Sequence, residues 1–207
     1  MVPRCRCGFQ SPGLAAVSAH QIVLPYGGSI FFYARIGRIY TECSTWRKAA
    51  LDDMTRIRPD IVLMSSAETV FTPDEWREGS ARVMRSLSRS VAHVYVLRAT
   101  PTLPFDGPDC LAVYAQRQKW LTFGAGCNAP NTNARSDSIY ASLRQAAARY
   151  GNVQVLDMND LICFDGICHA QQNGIVVFRD SQHMTATFAA SLASTLAKRL
   201  LSDALRE

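Results

Sequence analysis

The chain has 207 residues, of which 48% are hydrophobic and 19% are charged, and its formal net charge is +5. This length suits one packed domain, and the ordinary apolar content excludes a chain that is disordered throughout. No uncharged apolar run approaches the roughly 18 residues of a transmembrane helix. The basic residues are scattered along the chain, so we expect no nucleic-acid partner.

The first part of the chain has an unusual charge distribution. Up to Thr41 it contains four arginines but no lysine, aspartate or glutamate, whereas both signs are mixed from Glu42 onward. Polar residues and a proline at 10–12 interrupt the apolar segment, which makes a poor signal peptide. We therefore expect an atypical leader over residues 1–30, followed by a folded domain over residues 31–207.

From Cys43 onward, helical and strand-like patterns alternate. A helix entry is marked by Thr72 as N-cap, Pro73 in the first helical position and Glu75 in the third. The predicted elements are, in chain order, a helix over 46–57, a strand over 60–64, a helix over 73–87, a strand over 93–97, helices over 109–120 and 137–150, strands over 153–156 and 175–178, and a helix from residue 184.

Strands that are separated by helices imply parallel pairing with right-handed crossovers. The predicted fold class is therefore α/β, a three-layer sandwich around a mainly parallel sheet that is incomplete at its first strand. In such sheets, reactive groups collect at the carboxyl ends of the strands.

Asp180 and His183 are the candidate catalytic residues. They lie three residues apart, between a predicted strand and the last predicted helix. In a turn, this spacing can place the carboxylate against one imidazole nitrogen and leave the other to act as a general base toward a serine. The alternative is that Asp180 or Ser181 only caps the helix and His183 lies at its start.

Four segments carry a resemblance to a known family. In order and approximate spacing, from about Phe31 to the end, the chain resembles the SGNH domain that certain bacterial enzymes carry beside a multi-span membrane acyltransferase of the acyltransferase-3 type. The segments are 40–46 (YTECSTW), 58–62 (RPDIV), 100–110 (TPTLPFDGPDC) and 178–185 (FRDSQHMT).

The resemblance implies an SGNH-hydrolase or flavodoxin-like α/β domain in the periplasm. It also implies transfer of acyl groups, usually acetyl, to cell-surface glycans through a Ser-His-Asp triad without a cofactor. Asp180 and His183 match the last segment of the family and would carry its Asp and His roles. The implied partners are a glycan or acyl-ester substrate and a membrane-embedded acyltransferase domain. Because it carries no credible export signal, we expect the chain to stay in the cytoplasm when it is expressed alone.

The nucleophile block of the family is not evident in this sequence. A Gly-Asp-Ser-His-like block should follow the first strand, and the nearest segment is 22–30, in which Ser29 follows two glycines but no aspartate. The expected asparagine block after strand 60–64 is replaced by 65–68 (SSAE). Ser29 is thus a weak candidate, since a Gly-Gly-Ser turn is a common loop signal.

The missing block and the unusual leader suggest a truncated or start-shifted relative. We therefore expect a weakened or inactive enzyme, because Ser, His and Asp act as a unit. The alternative is a non-catalytic remnant that binds a glycan or a protein partner.

Seven cysteines indicate an oxidising compartment. Cys163 and Cys168 enclose a predicted Asp-Gly turn, which favours a small disulfide loop, and Cys110 and Cys127 could form a second bond. Cys43 resembles a family cysteine whose partner lies upstream. Zinc binding by Cys5 and Cys7, or by Cys163, Cys168 and His169, lacks the paired Cys-x-x-Cys spacing, so we expect no metal.

Overall fold

The computed structural model describes residues 21–22, 41–65, 71–116 and 126–204. Its described residues form two units. The sheet unit comprises those within 1–99 and 134–156, and the disulfide unit comprises those within 100–133 and 157–204. Among the described residues, no helix combines the length and the apolar character needed to cross a membrane.

The elements are as follows. The strands are β1 (Gln21–Ile22), β2 (Ile61–Ser65), β3 (His93–Leu97), β4 (Asn128–Pro130), β5 (Val153–Leu156), β6 (Ile167–His169), β7 (Gln171–Gln172) and β8 (Ile175–Val176). The helices are α1 (Thr41–Ile57), α2 (Pro73–Leu87), α3 (Gly107–Gln116), α4 (Ala134–Ala147), α5 (Asn159–Ile162), α6 (Ala186–Ser191) and α7 (Ala193–Ala204), with a 3₁₀ turn at Phe164–Gly166.

The sheet unit contains a parallel sheet with the strand order β1-β2-β3-β5. This confirms the predicted α/β class and parallel pairing. β1 lies inside segment 1–30, which the charge pattern marks as an atypical leader, and pairs with β2 through Gln21 and Ile22. The runs at 60–64, 93–97 and 153–156 form β2, β3 and β5 with shifts of at most one residue.

One face of this sheet carries the core of the unit. Val62, Val94 and Val153 align across β2, β3 and β5, and the side chains two residues later form a second apolar row. Both rows pack into one cluster with α1, α2 and α4, in which Val155 is partly buried and the buried members include Met54, Trp76, Met84, Leu87, Ile139 and Leu143. Aliphatic strands buried against amphipathic helices are typical of parallel sheets.

The start of α2 has the predicted capping box. The Thr72 hydroxyl accepts the Glu75 N–H at 3.3 Å, and a Glu75 carboxylate oxygen accepts the Thr72 N–H at 2.8 Å. These two bonds satisfy backbone donors that the first helical turn leaves without partners. The hydrogen bond from the Thr72 N–H lowers the pKa of Glu75.

The disulfide unit is built from shorter elements. β4 pairs with β6 and β7 pairs with β8, both antiparallel. The prediction that 175–178 joins the parallel sheet is therefore wrong, because β8 is one arm of a hairpin. Asn173 and Gly174 connect its arms with φ of 49° and 80°, the left-handed conformation that a two-residue Asn-Gly hairpin turn requires.

The predicted helix from residue 184 is also corrected. α6 begins only at Ala186, and Leu192 separates α6 from α7. Phe188 is buried, and Met184 and Leu192 pack against the same cluster, so this segment does face a core.

Candidate acid–base site

The site begins with a tight loop in the disulfide unit. Phe178 and Met184 form an antiparallel bridge, and the Arg179 N–H donates to the His183 carbonyl oxygen at 2.9 Å. The Thr185 N–H donates to the Val177 carbonyl oxygen at 2.9 Å. The chain therefore reverses direction between Arg179 and His183. Phe178 anchors this loop, since its side chain is fully buried.

The loop brings the two predicted catalytic residues into contact. Asp180 Oδ2 lies 2.7 Å from His183 Nδ1. Asp180 Oδ1 accepts the N–H groups of Gln182 at 2.8 Å and of His183 at 2.7 Å. The carboxylate thus binds both the backbone and the imidazole of the same loop. An acceptor at Nδ1 favours the tautomer with its proton there, which leaves Nε2 as the basic nitrogen.

His183 and Asp180 are reachable from solvent. Their side chains are 52% and 37% exposed, and in the described part of the chain no hydrogen-bond partner is found for His183 Nε2. The Arg179 guanidinium lies beside the pair, with Nε 3.9 Å from Asp180 Oδ2. A basic nitrogen that faces outward can accept a proton from an incoming group.

The electrostatics keep the carboxyl group ionised. Partial burial raises the pKa of Asp180, but the backbone N–H groups of Gln182 and His183, then the side chain of His183, together outweigh it. The net effect lowers the pKa of Asp180 from 3.8 to about 2. At neutral pH, Asp180 therefore orients the imidazole and can stabilise an imidazolium that forms during proton transfer.

The helix cap is a different residue. Thr185 is the N-cap of α6, because its hydroxyl accepts the Phe188 N–H at 3.2 Å and donates to the Val176 carbonyl at 2.5 Å. The alternative in which Asp180 or Ser181 caps the helix is therefore wrong.

A second segment, which contains Leu103 and Gly107, contacts the backbone of the loop. The Leu103 N–H donates to the Ser181 carbonyl oxygen at 2.7 Å, and the Gly107 N–H approaches the Asp180 carbonyl oxygen at 3.4 Å. A Cβ on Gly107 would lie 3.2 Å from Phe178 Cβ. Both residues lie in segment 100–110, one of the four that carry the family resemblance.

Both expected cysteine pairs are joined in the structure. Cys110 is bonded to Cys127, with their Cα atoms 5.8 Å apart, and Cys163 is bonded to Cys168, at 3.9 Å. The sulfurs of Cys163 and Cys168 are therefore not the free thiolates that a zinc ion binds. Within the described ranges, no three His, Cys, Asp or Glu side chains cluster as metal ligands.

The remaining expectations fall on other parts of the chain. Ser29, Cys5 and Cys7 lie outside the described residues, as do residues 66–68 of the segment where the family has its asparagine block. Cys43 lies in α1, and its side chain is outside the described part. The nucleophile of the predicted triad therefore stays a prediction.

Comparison with known proteins gives one family and one fold. A family model described as "SGNH domain (fused to AT3 domains)" matches residues 12–198. This match begins within the segment 1–30, and the domain boundary at residue 30 stays a prediction. No sequence in a search of curated proteins matches this chain.

Among solved structures, a similar one is the periplasmic domain of a lipopolysaccharide acetyltransferase from Salmonella ser. Paratyphi A. Its TM-score is 0.62 at 11% sequence identity, and the alignment covers 77% of this chain and 63% of that one. The chain thus spans less than two thirds of that structure. The likeness confirms the α/β fold class.

Proposed function

We propose that this chain, which belongs to the family of SGNH domains fused to AT3 domains, transfers or hydrolyses acyl esters through Asp180 and His183. The single observation that carries this proposal is the 2.7 Å contact between Asp180 Oδ2 and His183 Nδ1 on a half-exposed loop. A carboxylate that holds one imidazole nitrogen and leaves the other outward is the arrangement required for general-base activation of a hydroxyl nucleophile.

The proposed reaction follows from this arrangement. His183 Nε2 takes the proton of a serine hydroxyl while the serine oxygen attacks the acyl carbonyl carbon. His183 then gives that proton to the departing alkoxide, and an acyl-serine remains. A glycan hydroxyl or water, deprotonated by the same nitrogen, attacks the carbonyl carbon of the acyl-serine. The bond between that carbon and the serine oxygen breaks, and His183 returns the proton to the serine oxygen. Asp180 stays ionised throughout and stabilises the imidazolium form of His183.

The level of activity depends on the nucleophile. The sequence has no Gly-Asp-Ser-His-like block, and Ser29 follows glycine without the preceding aspartate. We therefore propose low turnover, with Ser29 as the candidate nucleophile and backbone N–H groups as the stabilising donors for the oxyanion.

The substrate proposal combines the family with the exposure of the site. The family is described by its fusion to AT3 domains, and the similar solved structure is a periplasmic domain of a lipopolysaccharide acetyltransferase. An acyl group, acetyl above all, would pass from a membrane-embedded acyltransferase domain to a glycan in the periplasm. The half-exposed His183 suits a bulky acceptor, because a polymer reaches an open surface more readily than a closed pocket.

The experiment is hydrolysis of p-nitrophenyl acetate by the purified protein with its disulfides intact. We expect low but measurable turnover that His183→Ala reduces to the background rate. His169→Gln is the matched control, since His169 lies on β6 and outside the proposed site, and it should leave turnover unchanged. Turnover that survives His183→Ala would overturn the proposal. Absence of turnover in the unmodified protein would also overturn it and would favour the non-catalytic, glycan- or partner-binding alternative.

The nucleophile is tested separately. A fluorophosphonate probe should label one serine in the active protein, and mass mapping should place the label on Ser29. Ser29→Ala should abolish labelling, whereas Ser138→Ala, on the exposed side of α4, should not. High turnover that disappears in Ser29→Ala would contradict the weak-activity part of the proposal, and labelling of another serine would contradict the assignment of Ser29.

A further inference from the structure

We propose that Gly107 and the Cys110–Cys127 disulfide are positioning residues, which hold the loop that presents Asp180 and His183. This inference rests on the proposed function, because it assigns a purpose to the geometry of that pair. Neither Gly107 nor the cysteines touch the reacting groups, so their effect reaches the pair through the backbone of the loop.

The first support comes from the side of α3. Gly107 is buried and opens this helix, with its N–H directed at the Asp180 carbonyl oxygen at 3.4 Å. Leu103 adds the 2.7 Å bond to the Ser181 carbonyl oxygen. One neighbouring segment thus binds the backbone carbonyls of Asp180 and Ser181. Only a residue without a Cβ allows this approach without displacing Phe178, which lies 3.2 Å from the Cβ position.

The second support comes through the disulfide. The Cys110 N–H donates to the Asp106 carbonyl oxygen at 3.0 Å, which ties the cysteine to the start of α3. The carbonyl oxygen of its disulfide partner Cys127 accepts the Ala170 N–H at 2.8 Å, and the Ala170 carbonyl oxygen accepts the Val177 N–H at 2.8 Å. The covalent bond therefore connects α3 with the strand that leads into the loop.

Two series of contacts connect the disulfide to the loop that carries Asp180 and His183. One branch runs from the disulfide through α3 to Asp180, and the other runs through Ala170 and Val177 into the same loop. The Asp180 and His183 side chains are too exposed for core packing to fix them, so these backbone contacts set their position. Catalytic groups must keep their geometry within a fraction of an ångström, and a misplacement of about 1 Å can cost about a hundredfold in rate.

The other disulfide provides a matched control. Cys163 and Cys168 are also buried in the disulfide unit, but their bond closes only a short loop of separation 5, against 17 for Cys110 and Cys127. The test compares Cys110→Ala/Cys127→Ala with Cys163→Ala/Cys168→Ala. Two readouts are used, namely kcat and KM for p-nitrophenyl acetate, and the ¹⁵N NMR signals of the His183 ring.

We expect Cys110→Ala/Cys127→Ala to lower kcat about tenfold with little change in KM, because the pair is displaced while the substrate still binds. The His183 Nδ1 signal should lose the shift that its hydrogen bond to Asp180 produces. Cys163→Ala/Cys168→Ala should retain both values. Equal kcat and equal His183 signals in the two variants would overturn the inference.

Two glycine variants test the same inference with both disulfides intact. They also keep the inference testable if the cysteine variant fails to fold. Gly107→Ala should shift the His183 signals and lower kcat severalfold, since the added methyl meets Phe178 and the backbone of Asp180. Gly151→Ala is the control, because no atom lies within 4 Å of its added Cβ. Identical His183 signals in the two glycine variants would contradict the role of Gly107.

The NMR readout separates this inference from the proposed function. If His183 responds to Gly107→Ala but the unmodified protein has no esterase activity, the positioning role stands and the proposed function fails. If turnover depends on His183 but neither Gly107→Ala nor the loss of Cys110–Cys127 changes its signals, the function stands and the positioning role fails.

Discussion

The sheet unit and the disulfide unit are stabilised in different ways. In the sheet unit, aligned valines on β2, β3 and β5 pack against three helices, so that many similar apolar contacts share the stabilisation. In the disulfide unit, helices and short antiparallel strands surround two disulfides and a smaller buried cluster. Individual contacts therefore decide the position of a loop in the second unit, and that loop carries Asp180 and His183.

This difference in how the two units are stabilised can be tested by substitution. A change in the sheet unit should alter the free energy of unfolding but leave the folded site as it is. A change near the loop should alter both the stability and the geometry of the Asp180–His183 pair. Matched substitutions in the two units therefore test this distinction.

The largest effects are expected from truncation of core side chains. Phe178→Ala in the disulfide unit should lower the free energy of unfolding by about 3–5 kcal/mol, and Met84→Ala in the sheet unit by about 2–5 kcal/mol. Both side chains are fully buried. Urea unfolding measures the stability, and esterase activity per folded molecule should fall in Phe178→Ala alone. Equal activity in the two folded variants would contradict the difference between the units.

Removal of either disulfide should have the next largest effect on the free energy of unfolding. Both disulfides lie in the disulfide unit, so this comparison is made within one unit. Loop-closure entropy predicts a loss of about 3 kcal/mol for Cys110→Ala/Cys127→Ala and about 2 kcal/mol for Cys163→Ala/Cys168→Ala. The loops differ in separation, 17 residues against 5. Thermal unfolding of the oxidised proteins should rank them in this order, and the reverse order would show that native contacts outweigh loop length.

Substitution of the helix N-cap residues compares the two units through smaller losses of stability. Thr72→Ala and Thr185→Ala each remove a hydroxyl that accepts a backbone N–H, at a cost of about 1 kcal/mol. Thr185→Ala should cost more, because its hydroxyl donates to the partly buried Val176 carbonyl, whereas the Thr72 hydroxyl donates to the exposed Glu75 carboxylate. Denaturation midpoints measure both losses. We expect turnover to change only in Thr185→Ala, and an equal change in Thr72→Ala would count against independent units.

The smallest effect concerns acid stability, because solvent screens the exposed Asp180–His183 pair. The pKa of Asp180 is about 2 in the folded chain and about 3.9 in an unfolded one. Because the folded value is the lower, ionised Asp180 stabilises the fold above about pH 4, and this contribution disappears as the pH falls toward 2. Asp180→Asn should therefore lose less stability over that interval. Parallel pH dependences for the two proteins would contradict the lowered pKa.

The sequence predicted the sheet unit well because its elements follow regular spacing. Val94 and Val96 lie two residues apart on β3, and Thr72, Pro73 and Glu75 mark the start of α2. Periodicity and capping act locally, so neighbouring residues contain the information.

The disulfide unit was harder to predict because its form depends on contacts between distant segments. The run at 175–178 looks like a buried strand, and only Asn173-Gly174 before it signals a hairpin. The spacing of Asp180 and His183 predicted their contact, since a turn of three residues suffices. The support from Leu103 and Gly107 comes from more than seventy residues away, and no local pattern indicates it.

The most direct test of the central claim, that Asp180 and His183 act as one catalytic unit, is a double-mutant cycle on p-nitrophenyl acetate hydrolysis. Asp180→Asn and His183→Ala should each lower kcat/KM by about a hundredfold or more, and the double variant should be no worse than His183→Ala alone. Losses that multiply in the double variant, or single variants that retain full activity, would contradict the claim.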